Sequence, residues 1–370
     1  MKNTFGNAIS LTLFGESHGP QIGVVLDGLA PGMTVSEDRI RAMLALRRPA
    51  GQISTARVEA DEFQIVSGVF EGKTTGTPLT ILIPNTNTKS KDYSETRFLA
   101  RPGHADYTAY QKYHGFEDYR GGGHFSGRLT AALVAAGGIL MPALERKGIC
   151  IGTHIQTLGG GALIKDAAFA EDEATLCGQI EGLKNKPFPV LDPAVEDAMK
   201  ARILEAASDG DSVGGILETA VCGMPAGVGE PWFDTIEGAL AHALFSIPAV
   251  KGVEFGEAFQ MIEARGSAYN DAFIGTDEKI RTQTNHNGGV NGGITNGMPL
   301  QFRTVIKPTP SIFKEQQTVD IRTGENKTLF LKGRHDPAII HRARIVVDSM
   351  TAFVLADFLS MRYGTDHLAD

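Results

Sequence analysis

Glycine is the residue that most constrains what this chain can fold into, because 44 of its 370 residues are glycine. That share, about 12% against an average of about 7%, follows no three-residue period and accompanies an ordinary apolar content of 42%. The pattern excludes a collagen-like chain and a disordered chain. It predicts a folded protein with many tight turns and close backbone approaches, which suit ligand sites.

Charge and cysteine usage narrow the class of protein. The formal charge of -8, from 35 basic and 43 acidic residues, argues against a surface that binds nucleic acid or an acidic membrane. The three cysteines are widely spaced without a CxxC pair, which favours a reducing compartment over a disulfide framework. No apolar run reaches 18 residues, and residues 8–14 alternate as in a strand. We therefore expect a cytoplasmic protein with no membrane or nucleic-acid partner.

Strand patterns and helix patterns do not alternate regularly along the chain. Strands are predicted at 9–14, 21–27, 62–69, 78–84, 148–157, 213–222, 301–307 and 327–331. Helices are predicted at 36–47, 105–113, 127–146, 193–207, 233–245 and 340–363. No strand is followed by GxGxxG, which disfavours a doubly wound nucleotide-binding sheet. We expect one α+β domain over residues 1–370 with a layered fold.

Two short motifs near the N-terminus carry candidate chemistry. The motif 15–19 (GESHG) follows the first predicted strand and presents His18 as a general acid or a donor to an anion. A plain polar turn is the more common role of such a motif. Arg47 and Arg48 precede Pro49 and can form forked bonds to phosphate or carboxylate, although most arginine pairs on surfaces are simply solvated.

Downstream segments concentrate histidine, arginine and hydroxyl side chains beside glycine and proline. They are 101–106 (RPGHAD), 119–128 (YRGGGHFSGR), 285–294 (NHNGGVNGGI), 307–311 (KPTPS) and 333–337 (GRHDP). Glycines let a backbone approach phosphate, and the helix after residue 127 offers free N–H groups. Hairpin turns and solvated loops remain alternatives for each segment. No HExxH, paired cysteine or calcium-loop spacing occurs, so no metal site is predicted.

From the residues alone, an enzyme that acts on a small phosphorylated anion is favoured over a phosphate-binding module, which remains the alternative. A larger set of motifs, in order over almost the whole chain, resembles the chorismate synthase family: FGESHGPQIGVVLDGLAPG, RRP, SGVFEGKTTGTPL, DYSETR, RPGHADYTAYQKY, DYRGGGHFSGRLTAALVAAGGI, SIPAVKGVEFG, NGGITNG, KPTPS and GRHDP. The resemblance implies a homotetramer of α+β sandwiches, with helices between two antiparallel sheets. It also implies the family's reaction, an anti 1,4-elimination of phosphate from 5-enolpyruvylshikimate 3-phosphate. That reaction yields chorismate and requires reduced FMN without net redox change.

The resemblance also assigns roles to individual residues. Three residues are expected to be catalytic: His18 as the acid that protonates the departing phosphate, His104 as a second acid near N1 of the reduced flavin, and Asp336 as a residue that helps relay the ring proton through flavin N5. The substrate's carboxylates and phosphate are expected to bind three arginines, Arg47, Arg128 and Arg334. Flavin contacts are expected at His124, Phe125, Ser126, Ala249, Gly292, Lys307, Pro308, Thr309, Pro310, Ser311 and Arg334. Arg47 is also the expected contact for NADP.

Five departures from the usual pattern of the family bear on flavin or NADP binding. Where the family commonly has GGGRSSARE, this chain has His124 for an arginine, Phe125 for a serine and Leu129 for a glutamate. Pro248 removes an N–H that could bond the cofactor, and Ile53 stands where an arginine often occurs. We therefore expect altered flavin contacts and dependence on an external source of reduced FMN, such as a flavin reductase. The alternatives are a phosphomonoesterase and a flavin- or phosphate-binding homologue with impaired catalysis.

Overall fold

The computed structural model describes residues 2–49, 51, 53–54, 60–86, 97–275, 280–331 and 335–370. Its helices are α1 (Glu37–Arg47), α2 (Asp106–Tyr113), α3 (Thr130–Arg146), α4 (Glu173–Leu183), α5 (Pro193–Ser208), α6 (Ile236–Phe245), α7 (Gly266–Tyr269) and α8 (Ile340–Tyr363). Its strands are β1 (Thr4–Phe5), β2 (Ser10–Gly15), β3 (Gln21–Asp27), β4 (Gln64–Ser67), β5 (Val69–Phe70), β6 (Lys73–Thr74), β7 (Leu79–Pro84), β8 (Cys150–Leu158), β9 (Ile164–Lys165), β10 (Gly215–Cys222), β11 (Val250–Phe255), β12 (Phe273–Gly275), β13 (Ile280–Thr282), β14 (Val290–Asn291), β15 (Ile294–Thr295), β16 (Leu300–Ile306), β17 (Glu315–Val319) and β18 (Asn326–Phe330).

Local sequence sets both ends of α1, the helix that carries Arg47. The Ser36 side chain caps its first turn by accepting a backbone N–H bond of 3.2 Å. Glu37 and Asp38 follow in that turn, where the helix dipole favours negative charge. Pro49 disfavours helical conformation in the residue before it, so the helix ends at Arg47.

Two five-stranded antiparallel sheets form the outer layers. The first has the strand order β1-β2-β3-β7-β4, and the second has the order β11-β16-β10-β8-β9. In β7 the side chains of Leu79, Ile81 and Ile83 are fully buried, because alternate residues of a strand point to the same face. Each sheet therefore turns an apolar face towards the middle of the molecule.

Helices α3 and α8 lie between the two sheets. Helix α3 packs against β3 and β7 of the first sheet, α8 packs against β8 and β10 of the second, and the two helices pack on each other. Gly137 permits their close approach, since a Cβ there would lie 2.3 Å from Ser349 Oγ. This arrangement confirms the predicted α+β sandwich. Among the described residues, Gly127–Arg146 is long and apolar enough to cross a membrane, and 89% of its apolar window is buried inside the protein.

Candidate active site

His18 lies in the turn between β2 and β3. Its Nδ1 is 2.9 Å from Ser17 Oγ, and Ser17 Oγ donates a hydrogen bond of 3.0 Å to the carbonyl of Gly121. Because the Ser17 hydroxyl has one proton to donate, these bonds assign Nδ1–H as the donor to Ser17. Nε2 is then the atom at which the ring exchanges protons with a ligand.

The glycine loop 121–123 fits closely against this turn. Its three residues have positive φ angles of 59°, 83° and 52°. A Cβ at Gly121 would lie 2.1 Å from Cε1 of His18, so a larger residue displaces the ring. The next residue, His124, places Nδ1 2.8 Å from the carbonyl of Gly15. The glycine loop and the His18 turn therefore hold each other in place.

Arg47 and Arg128 meet at a buried carboxylate that sequence reasoning missed. Arg47 Nη2 lies 2.8 Å from Oδ2 of Asp61, and Arg128 Nη1 contacts Oδ1 of the same residue. The exposed fraction is 5% for each arginine side chain and 0% for Asp61. Buried charges are stable only when they are paired, so Asp61 is part of the site's framework.

Asn85 joins Arg128 to the His18 turn. Its Oδ1 accepts a bond of 3.1 Å from Arg128 Nε, and its Nδ2 donates bonds of 2.9 Å to the carbonyls of Glu16 and Gly19. This orientation of the amide satisfies all three bonds. The sequence placed Asn85 only at the start of a polar loop, and residues 87–96 of that loop lie outside the described residues.

Asp336 connects to the same network from the other side. Its Oδ2 accepts a bond of 2.8 Å from Arg342 Nη1, and Arg342 Nε donates one of 2.7 Å to the backbone carbonyl of Arg47. Arg342 stands in the first turn of α8, and no motif pointed to it. Four residues singled out from the sequence therefore share one hydrogen-bonded network: His18, Arg47, Arg128 and Asp336. Arg334 lies outside the described residues.

A second cluster surrounds His104. Its Nε2 is 2.8 Å from Ser311 Oγ, while Lys307 Nζ donates a bond of 2.6 Å to the carbonyl of Gly103. The backbone N–H of Lys307 also donates to the carbonyl of Ala249 at 2.9 Å. Ala249 and the run 307–311 therefore lie together, where β11 begins and β16 ends, against His104.

Burial and neighbouring positive charge lower the pKa values of the bases in this cluster. Burial, and then the charge of Arg101, lower the pKa of His104 to about 4. The same two causes lower the pKa of His335, and burial lowers the pKa of Lys307. His104 is therefore neutral at pH 7 in the free protein. An anion bound beside it would raise its pKa.

Three other predicted flavin residues lie on separate elements. The exposed ring of Phe125 stands 6.0 Å from that of Tyr113. Ser126 Oγ accepts the backbone N–H of Arg128 and so begins the turn that carries this arginine. Gly292 occupies the turn between β14 and β15, where a Cβ would meet open space. Backbone hydrogen bonds join that hairpin to residues 227–236.

Two of the departures from the family pattern face the apolar core. Leu129 is buried in it, and Ile53 packs against its edge. Apolar burial explains why leucine is stable where the family commonly has a glutamate. These two side chains therefore contribute to the packing of the apolar core.

Polar atoms of the second cluster fit a further ligand. Among the described residues, Thr309 Oγ1 and His335 Nε2 are buried without a hydrogen-bond partner. A buried polar group left unpaired costs about 1–3 kcal/mol, so a ligand that pairs with these atoms gains affinity. The phosphate and ring carbonyls of FMN offer acceptors to the hydroxyl, the imidazole and the Lys307 ammonium. No group of three histidine, cysteine or acidic side chains in the described part of the chain is arranged to hold a metal.

Comparison with known proteins decides the family. The sequence profile described as Chorismate synthase matches residues 9–360. The chain belongs to the chorismate synthase family. Relatives with that name include the protein of Thermococcus kodakarensis, 46% identical over 357 residues, which are 96% of this chain and 97% of the relative. The protein of Korarchaeum cryptofilum is 45% identical over 365 residues, 97% of this chain and 98% of the relative. A crystal structure of chorismate synthase matches with a TM-score of 0.77 and 28% identity, over 98% of this chain and 94% of that one.

Proposed function

We propose that this protein is a carbon–oxygen lyase that converts 5-enolpyruvylshikimate 3-phosphate to chorismate by anti 1,4-elimination of phosphate. The observation that carries the proposal is the network that links His18, Arg128, Arg47 and Asp336. The network combines a proton donor for the leaving phosphate with two arginine guanidinium groups, which can each bind an anionic group through two parallel hydrogen bonds. It also includes a carboxylate that can accept a proton. Family membership over residues 9–360 supports the same reaction.

His18 serves as the general acid. The bond between Nδ1 and Ser17 Oγ fixes the ring plane, and Gly121 packs against its edge. The proton on Nε2 then passes to an oxygen of the departing phosphate and neutralises part of its charge, which leaves a neutral ring. Because the phosphate is anionic, its negative charge stabilises the positively charged ring that donates this proton.

The arginines orient the substrate. Arg47 and Arg128 present guanidinium groups that bind carboxylate or phosphate through two parallel bonds, which fixes direction as well as charge. The family resemblance assigns Arg334 as the third arginine that binds the substrate. Asp336 takes up a proton in the relay that removes the ring hydrogen, and Arg342 holds its carboxylate in place.

Reduced FMN is the proposed cofactor. When bound, it supplies electron density that assists loss of phosphate, because the ring hydrogen that also leaves has no adjacent carbonyl and is poorly acidic. The residues that we assign to holding it are His104, His124, Phe125, Ser126, Ala249, Gly292, Lys307, Pro308, Thr309, Pro310, Ser311 and Arg334. His104, neutral in the free protein, gains a proton more easily beside an anionic flavin, and its bond to Ser311 keeps the ring oriented.

We also propose that reduced FMN comes from an external reductase. Arg47, the expected contact for NADP, is buried and bonded to Asp61, and Ile53 offers no charge for a 2′-phosphate. Both features support an external source of reduced FMN over reduction by NADPH bound at Arg47.

The remaining proposals concern assembly. We propose one domain over residues 1–370, because one apolar cluster contains residues from both sheets. The chain is proposed to work in the cytoplasm as a homotetramer. Large apolar side chains with exposed fractions of 97% (Phe233) and 87% (Ile262) support burial against other copies.

An anaerobic assay tests the reaction and the reductant together. Purified protein and substrate are incubated with chemically reduced FMN, with oxidised FMN plus NADPH, or with no flavin. We expect chorismate and phosphate in equal amounts with reduced FMN alone. Phosphate without chorismate would identify a phosphomonoesterase, and ligand binding without turnover would identify an impaired homologue. Comparable chorismate with NADPH, from protein free of reductase, would contradict an external source.

A further inference from the structure

Three separate elements bring charged side chains together beneath the site. Arg47 comes from the last turn of α1, Asp61 from the segment before β4, and Arg128 from the turn that leads into α3. The two carboxylate oxygens of Asp61 each contact a different arginine. One buried aspartate therefore sets the spacing between two guanidinium groups from distant parts of the sequence.

Holding two guanidinium groups at a fixed spacing calls for an anion with two acceptor oxygens. Two guanidinium groups repel each other when buried close together, and a carboxylate between them offsets that repulsion. A carboxamide has one acceptor oxygen, and its NH₂ group cannot accept a bond from a guanidinium. The carboxylate thus holds both arginines, while a neutral substitute of the same shape holds one.

The backbone of Asp61 supports a role tied to this position. Its φ angle is +50°, which lies in the left-handed region that residues other than glycine rarely adopt. Such a conformation persists only where surrounding contacts determine it. The described contacts of the carboxylate in this conformation are those with Arg47 and Arg128.

We propose that Asp61 is a positioning residue, which holds Arg47 and Arg128 at the spacing needed to bind the anionic groups of the substrate. The inference rests on the proposed function, since it takes these arginines as the substrate's contacts. Asp61 is connected through these two arginines to the rest of the network. Arg128 continues through Asn85 to the His18 turn, and the carbonyl of Arg47 accepts the bond from Arg342.

Asp61→Asn tests the proposal, because it removes the charge and one acceptor while keeping the shape. We expect the KM for 5-enolpyruvylshikimate 3-phosphate to rise at least ~10-fold, a cost of about 1.4 kcal/mol in binding, with a smaller change in kcat. The assay uses the full-length protein with chemically reduced FMN under anaerobic conditions at pH 8. Titration calorimetry with oxidised FMN present measures the substrate's Kd directly.

Asp348→Asn is the matched control. Asp348 is also a buried aspartate, with Oδ2 3.3 Å from Arg344 Nη1, and it belongs to the interior of α8. Burial raises its pKa to about 6, so it is charged at pH 8. We expect this variant to melt at a lower temperature than the wild type but to keep its KM within twofold.

The outcomes separate the two claims. A KM for Asp61→Asn within twofold of the wild type overturns the positioning role, and so does an equal rise in the Asp348→Asn control. If Asp61→Asn does not fold, Asp61→Glu keeps the charge, and its longer side chain displaces the guanidiniums. A KM rise of at least ~3-fold then supports the proposal, while an unchanged KM overturns it. Absence of chorismate with the wild type instead contradicts the proposed function, and the calorimetric Kd still tests Asp61.

Discussion

The surroundings of His18 and of His104 differ in how their polar groups are satisfied. Around His18, side chains bond to one another: Ser17 holds the ring, and Asn85 ties the turn to Arg128. Around His104, burial lowers the pKa values of the bases, and two polar atoms have no partner among the described residues. The first region is set in place before any ligand arrives, whereas the second gains its missing bonds from a ligand.

This difference indicates a division of labour. A pre-aligned acid and paired arginines suit a small substrate whose bonds must be broken in one orientation. A neutral histidine with unpaired polar neighbours suits a larger group with several acceptor atoms. We therefore expect changes around His18 to affect turnover and substrate binding, and changes around His104 to affect flavin binding.

The largest effect is expected for His18→Ala. Loss of the general acid should lower kcat by at least ~100-fold, the usual size of such contributions, while FMN affinity stays within twofold. The measurement is chorismate formation under anaerobic conditions with reduced FMN. His367→Ala, a change in the C-terminal turn, is the control and should keep normal turnover. A kcat within threefold of the wild type for His18→Ala would remove this residue from the mechanism.

The next effect comes from the backbone that packs against His18. A methyl group at Gly121 collides with the His18 ring, so Gly121→Ala should lower kcat by ~10-fold or more. Gly122→Ala is a close control, since Gly122 also has positive φ but its Cβ would lie 3.7 Å from Ser126. Both variants carry similar backbone strain. Equal losses of kcat would attribute the effect to strain alone and contradict a role for the ring position.

Replacement of the paired arginines should act on substrate affinity. Arg47→Lys and Arg128→Lys keep the charge but lose the fork, so the KM for the substrate should rise ~5- to 10-fold for each. Arg41→Lys, in the same helix as Arg47 but exposed and paired with Glu37, is the control and should leave KM unchanged. Arg334 is also a predicted substrate contact, so Arg334→Lys is measured in the same way. Normal KM values for all three lysine variants would refute the clamp.

The smallest effect is expected in the pH dependence of flavin binding. The pKa of His104 is about 4 in the free protein, and an anionic ligand raises it, so binding takes up a proton. The affinity for FMN should therefore increase as pH falls from 8 towards 5, by a few-fold more in the wild type than in His104→Gln. Protonation of the FMN phosphate affects both proteins alike. NMR titration of the His104 ring should show a higher pKa with FMN, and an unchanged pKa would place the flavin elsewhere.

Much of the fold was predictable because it depends on local pattern. The strand predicted at 21–27 has those bounds, and the apolar segments after residues 127 and 340 form the two central helices. Helix α4 was missed, since its glycines at 178 and 182 weaken the helical pattern. Its cap, in which the Asp172 side chain accepts the N–H of Thr175, was the available signal.

The site was predictable only in part. Motifs beside glycine and proline indicated His18, His104 and Asp336, because such residues present side chains at the ends of strands and helices. Asp61, Asn85 and Arg342 were missed because each acts through a distant partner. Asp61 lies 67 positions from Arg128, and Arg342 lies 295 positions from Arg47. A local sequence pattern does not indicate contacts between residues so far apart in the chain. Once the fold is known, the burial of Asp61 beside two arginines identifies it as part of the site.

The most direct test of the division of labour is a crystal structure of the protein with FMN and 5-enolpyruvylshikimate 3-phosphate bound together. The account predicts FMN within hydrogen-bond distance of His104, Lys307 or Thr309, and substrate oxygens within that distance of Arg47 and Arg128, which remain bonded to Asp61. A substrate bound at His104, with the flavin against the two arginines, would contradict it.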